Sequence, residues 1–157
     1  MRTWWPLLLA LLLLDGVAKT LAIHFVPPLQ FGMYPFGGIG IFSLGGITFS
    51  LNYIVNTGMA WGLFAGYGGL LFAIRSLIIL AVFFFVPKRF PICLVLTGAI
   101  GNAVDYCLYG HVIDFFHFTF WGYSFPIFNI ADACITIGVL SLCIQKKYDT
   151  KNLNASD

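Results

Sequence analysis

The sequence predicts an α-helical integral membrane protein: four transmembrane helices, an extracytoplasmic Gly/aromatic-rich β-cradle and a short interfacial helix. Three observations carry that fold class. Of the 157 residues, 60% are hydrophobic and 9% charged, whereas soluble domains carry about 45–50% and about 25%. Four apolar segments approach the about 20 residues that a bilayer span requires. Lys and Arg gather at the segment ends that an up-and-down path would place on one side. The formal net charge of +2 is too small to point to a nucleic-acid partner.

The first apolar segment, about 4–25, follows Arg2 and contains LLLALLLL. It imitates a signal peptide, but the apolar stretch continues past Asp15 and Lys19 to Phe25. No A-x-A-like cleavage site follows it, so an uncleaved first span is expected. Segment 27–64 has short β-branched and aromatic runs, GIGIFSL and GITFSLNYIV, separated by Gly-Gly pairs. That pattern predicts hairpin strands. An apolar sheet outside the bilayer is expected to lie on the membrane or grip a lipidic ligand.

The second span is expected over 68–86, and Pro87 and Pro91 bracket a turn around Lys88 and Arg89. The third is expected over 91–109, with Gly98 and Gly101 permitting close helix approach. The stretch HVIDFFHFTFWGY at 111–123 is aromatic and reads as the interfacial helix, because Trp and Tyr favour headgroup depth. The fourth span is expected over 126–145, with Pro126 at its first position. Residues 1–145 then form one polytopic domain, and 146–157 a polar cytoplasmic tail, frayed at its end. The four cysteines lack metal spacing and read as small core residues. Trp4, Trp5 and Trp121 read as interface anchors.

Orientation follows from charge. Arg2, Lys88, Arg89, Lys146, Lys147 and Lys151 fall at ends that four spans place together, and loops 26–67 and 110–125 hold no Lys or Arg. Both termini are therefore expected in the cytoplasm and both long loops outside.

Ionisable residues inside spans are costly and mark functional positions. Here they are Asp15, Lys19, Arg75, Asp105 and Asp132, with Asp114 just past the third span. Asp132, six residues after Pro126, would lie about 9 Å along its helix. The acidic groups collect in the outer half of the bundle. Two aspartates close together in a water-poor pocket share one proton: one can act as base on a water while the other polarises a carbonyl. Asp114 and Asp132 fit such a dyad. They also fit structural roles, with Asp132 capping or bonding to a neighbouring helix and Asp114 wetted at the interface, and Asp132 could instead belong to a proton relay with Asp15 and Lys19. A relay needs ionisable groups on both sides of the bundle, and the cytoplasmic half has almost none. Asn102 and Asn129 near the outer ends can hold a peptide backbone or bond between helices. Asp15 and Lys19, spaced i, i+4, read as an intrahelical supporting pair. His111 and His117 have no convergent ligand set.

Four blocks carry a resemblance across the chain apart from its tail. They are DGVAK at 15–19, VNTGMAWGLF at 55–64, TGAIGNAVDYCLYGHVIDFF at 97–116 and FNIADACITIG at 128–138. In order and spacing the chain resembles lipoprotein signal peptidase, the signal peptidase II family. The resemblance implies that Asp114 and Asp132 are the catalytic aspartates of an aspartic endopeptidase. It implies that Asn56, Asn102 and Asn129 contact substrate, and that Asp105 supports the site beside Asp15 and Lys19. The implied substrate is a diacylglyceryl-modified prolipoprotein, cut before the lipidated cysteine at the outer surface of the bacterial inner membrane. Membrane lipid is the implied surroundings, and no metal or organic cofactor is required. A monomer is expected, because one chain holds the whole site. The chain departs from the family pattern at Tyr106 (usually Arg), Gly16, Ala18 and Trp61. Tyr106 offers one neutral bond where arginine offers several charge-assisted ones, so grip on the substrate is expected to be weaker or supplied by Arg75.

Overall fold

The computed structural model describes residues 4–57, 67–87 and 89–154, with side chains described up to residue 146 apart from residue 68. Arg2, Lys88 and the 58–64 part of the second sequence block, with Trp61, lie outside the described residues.

The described residues form four helices and one four-stranded sheet. Helix α1 spans Trp5–Phe25, α2 Gly68–Phe85, α3 Phe90–Tyr109 and α4 Ile130–Asn154. Pro6 and Pro91 sit in the first turns of α1 and α3, where a missing N–H costs nothing. Gly110, at φ +74°, closes α3, because a left-handed C-terminal residue satisfies the last carbonyls without a Cβ penalty. Helices α1 and α3 are long and apolar enough to cross a membrane, with mean hydropathies of 1.9 and 1.5, and Gly69–Phe85 is a shorter apolar helix. Leu7, Leu13, Leu14 and Val17 on α1, and Leu77, Phe84 and Phe85 on α2, are exposed. Lipid is the solvent in which such faces are stable.

Helix order follows from cross-contacts. Asp15 and Lys19 of α1 meet Gly101, Asn102 and Asp105 of α3, so the two helices run the same way. Trp4 packs on Phe90, ring centroids 5.5 Å apart. Helix α4 runs against α3, since a methyl group at Gly98 would strike the Ala131 carbonyl and one at Gly138 would lie 2.7 Å from the Pro91 carbonyl. Helix α2 also runs against α3, with Phe72 stacked on Tyr106 at 4.6 Å.

Strands β1 (Ile39–Leu44), β2 (Ile47–Asn56), β3 (Val112–Phe120) and β4 (Tyr123–Ser124) form an antiparallel sheet in that order. Gly45 and Gly46, both at positive φ, make the two-residue hairpin turn that needs residues without a Cβ. The register sets Ile47 opposite Phe120 and Ile54 opposite Asp114. One sheet face is aromatic, with Phe49 stacked on Phe118 at 4.4 Å. The end of the sheet rests on α1 through Ala22, Ile113 and Phe115.

Two expectations are corrected. The stretch 111–123 is not an interfacial helix: Val112–Phe120 is a strand between β2 and β4. Its β-branched and aromatic side chains suit a pleated surface, and β2 supplies backbone partners that an isolated helix would not use. Helix α4 begins at Ile130, not Pro126. Residues 125–128 are extended and bond back to β3, Phe125 N–H to the Phe118 carbonyl at 2.9 Å and Phe116 N–H to the Phe128 carbonyl at 2.8 Å. Asp132 therefore stands in the first turn of α4 rather than deeper along it. At the other end the α4 backbone continues to Asn154, through most of the segment read as a tail.

Candidate active site

Asp114 and Asp132 come together where β3 meets the start of α4. Asn129 precedes the first residue of α4, and its Oδ1 accepts the Asp132 N–H at 2.8 Å. Asp132 Oδ2 in turn accepts the Asn129 N–H at 3.4 Å. This is the reciprocal cap that a polar residue and an acid three positions later make at a helix start. Capping turns the Asn129 Nδ2 toward β3, where it donates to Asp114 Oδ1 at 2.7 Å. Acceptors also lie at 3.1 Å on Asn102 Oδ1 and the Ile113 carbonyl. Asn56 at the end of β2 donates to Asp114 Oδ2 at 2.8 Å. Asn102 of α3 donates to Asp132 Oδ1 at 2.7 Å.

Behind this pair lies a buried ionic cluster. Lys19, 2% exposed, places Nζ 2.7 Å from both Asp15 Oδ2 and Asp105 Oδ2. It also donates to Asn102 Oδ1 at 3.1 Å. Asp15 Oδ1 accepts the Ala131 N–H of α4 at 2.8 Å, and Asp105 Oδ2 accepts the Ile113 N–H of β3 at 3.2 Å. The first-turn N–H groups of a helix lack intrahelical partners, and Asp15 fills one such vacancy. Lys19 thus ties α1, α3, α4 and β3 into one frame. The eight side chains expected to be catalytic, substrate-binding or supporting (Asp15, Lys19, Asn56, Asn102, Asp105, Asp114, Asn129 and Asp132) join this connected network.

Burial sets the electrostatics of Asp114, which is 1% exposed. Burial first, and the neighbouring Asp132 second, push its carboxyl up to about 7, against the opposing pull of Asn56, Asn129 and Lys19. A carboxyl in that range changes protonation near neutrality, which suits acid/base chemistry.

Other residues stand elsewhere. Tyr106 fills space against Phe72 of α2, and Arg75 is exposed on α2. A second polar cluster escaped the sequence reading. Buried Asn52 donates to the Pro35 and Phe36 carbonyls at 3.0 Å and accepts from Ser50 at 2.6 Å. His117 lies 3.2 Å from Asn52 Oδ1 and 2.8 Å from Ser124 Oγ, and burial lowers its pKa. The signal was present: Thr48, Ser50 and Asn52 are polar at every second position of an apolar run, which puts them on one face of a strand.

Residues 7–147 match the family model described as Signal peptidase (SPase) II. A lipoprotein signal peptidase of Chlamydia pneumoniae is 35% identical over 148 residues, 88% of this chain and 87% of that protein. One from Staphylococcus aureus (strain JH9) is 40% identical over 105 residues, 62% of this chain and 64% of the relative. Among solved structures, a bacterial membrane enzyme determined by the in meso method at 2.3 Å resolution superposes with a TM-score of 0.72. It is 30% identical and the match covers 92% of this chain and 87% of that one. A second, at 1.9 Å resolution, gives 0.66 at 30% identity over 88% of each.

Proposed function

Because this chain belongs to the signal peptidase II family, we propose that it is a membrane aspartyl endopeptidase of the bacterial inner membrane. It removes the signal peptide from diacylglyceryl-modified prolipoproteins, cutting before the lipidated cysteine. The observation that carries this reading is that Asn129 links the two aspartates: its Nδ2 donates to Asp114 Oδ1 and its backbone N–H to Asp132 Oδ2. Two carboxyl groups are thereby held together in a chain with 9% charged residues.

One carboxylate takes a proton from a water, whose oxygen adds to the scissile carbonyl. The other, protonated, hydrogen-bonds the carbonyl oxygen as charge develops there. Collapse of the tetrahedral intermediate breaks the C–N bond, and the proton taken from water passes to the departing amine. Water is the only co-reactant. Asn56, Asn102 and Asn129 hold the aspartates and the substrate backbone, while Asp105, Asp15 and Lys19 brace them.

Residues 1–145 act as one peptidase domain of four spans, with both termini cytoplasmic and the aspartates near the outer leaflet. The common polarity of α1 and α3, opposed by α2 and α4, supports this topology. It brings the Arg89 and Lys146 ends together, as the bias of Lys and Arg toward cytoplasmic flanks requires. The enzyme works as a monomer, since one chain supplies the network.

The test is cleavage of a diacylglyceryl-modified prolipoprotein in detergent, with Asp114→Asn and Asp132→Asn beside the wild type. Loss of cleavage in both folded variants is expected. Cleavage by either at the wild-type rate overturns the dyad.

A further inference from the structure

The two aspartates do not occupy equivalent places. We propose that Asp114 carries the proton of the pair and Asp132 the negative charge, so that Asp132 is the base on water and Asp114 the acid at the carbonyl oxygen. This rests on the peptidase reading above and divides its two roles.

Three observations separate the residues. The first is solvation. Asp114 is 1% exposed, inside the corner between β2, β3 and α4, whereas Asp132 is only half-buried. Loss of hydration penalises the charged form, and Asp114 is the one shut off from bulk water. The better-exposed carboxylate is also the one a water can reach.

The second is the helix start. Asp132 stands in the first turn of α4, within its reciprocal cap with Asn129. The positive end of the helix dipole at that turn favours a negative charge. Asp114, on a strand, has no such field.

The third is the direction of the amides. Asn102 Oδ1 accepts from the Lys19 ammonium at 3.1 Å, which forces its Nδ2 to face Asp132 Oδ1 at 2.7 Å. One amide thereby relays the ammonium to Asp132. Lys19 is a positioning residue in this scheme, acting through Asn102. Asp114 takes one amide hydrogen on each oxygen, from Asn56 and Asn129, and a carboxyl oxygen has a second lone pair to hold a proton.

The charged groups that act on Asp114 are Asp132 from α4 and Lys19 from α1, and Lys19 is itself flanked by Asp15 from α1 and Asp105 from α3. With Asp114 protonated, three carboxylates face one ammonium. Ionising Asp114 would add a fourth.

The chain has six acidic residues, all aspartate, so labelling aspartate with carbon-13 at the carboxyl reports every acidic side chain by NMR. The full chain in detergent is titrated between about pH 4 and about pH 9, from the ordinary carboxyl range through neutrality. One carboxyl is expected to remain protonated up to about 7. Through-bond correlation to the backbone of Asp114 assigns it without any variant. It disappears in Asp114→Asn. In Asp132→Asn it persists but titrates at lower pH, since burial remains when the neighbouring charge is gone. A protonated carboxyl assigned to Asp132, or none above about pH 6, overturns the division of roles. The peptidase reading fails separately, if either variant still cleaves prolipoprotein at the wild-type rate.

Discussion

Asn129 and Asp132 cap each other at the start of α4: Asn129 Oδ1 accepts the Asp132 N–H at 2.8 Å, and Asp132 Oδ2 accepts the Asn129 N–H at 3.4 Å. The same cap aims the Asn129 amide nitrogen at Asp114, 2.7 Å away. Ordinary helix-start chemistry therefore preorganises the aspartate pair. Replacing Asn129 by Ala is expected to cost about 1 kcal/mol of stability as a lost cap. Loss of a positioned donor in the site should cost about 10²–10³ in cleavage rate. Thermal unfolding in detergent beside a prolipoprotein cleavage assay separates the two effects.

Cleavage should depend on pH through the Asp114 carboxyl. The rate is expected to fall as pH rises through about 7, because the proton proposed to serve the carbonyl oxygen is lost. The limb belongs to the coupled pair. A rate profile still rising at pH 9 would contradict the role of Asp114 as an acid.

Stability should show the same group with a definite sign. The folded carboxyl of Asp114 stands at about 7 against 3.8 ordinarily. Between those values the folded state binds more protons than the unfolded state, so stability falls as pH rises. Three units at about 1.4 kcal/mol each bound the loss at about 4 kcal/mol. Unfolding midpoints measured between pH 4 and pH 8 should decline in the wild type and decline much less in Asp114→Asn.

Lys19 balances two buried carboxylates at 2.7 Å each. Lys19→Met leaves Asp15 and Asp105 without their cation, which is expected to destabilise by about 3–5 kcal/mol. Adding Asp15→Asn to that variant removes one stranded charge and should recover part of the loss. Equal stability of the single and double variants would show that these charges are solvated instead.

Gly98 lies against the Ala131 carbonyl, with no room for a methyl group. Gly98→Ala is expected to force α3 from α4 and cost about 1–3 kcal/mol by overpacking. Because Ala131 neighbours Asp132, cleavage should drop as well. The paired Gly138→Ala, two turns further along α4 and 2.7 Å from the Pro91 carbonyl, should lose stability with less effect on cleavage.

Composition and hydropathy placed the first three helices within a few residues, since apolar runs must match the thickness of the bilayer whatever packs beside them, but missed the extension of α4 to Asn154. Asp114 and Asp132 stood out as candidates for the same reason: a carboxylate in such a chain is costly. The strands of β1 and β2 were legible from Gly-Gly punctuation. The character of 112–120 was not, because aromatic residues suit a membrane interface and a strand equally. Only pairing with β2 decides between them. The start of α4 was misread because Pro126 fits both a first helical turn and an extended segment, and the backbone bonds from 125–128 to β3 settle it. No local pattern joins Lys19 to Asn102, 83 residues away, or turns the Asn129 amide toward Asp114. By itself the sequence determined which groups could afford to be charged and where helices could run. The tertiary structure decided which of those groups meet, because the direction of a hydrogen bond depends on the approach of separate elements, and spacing along the chain does not encode it.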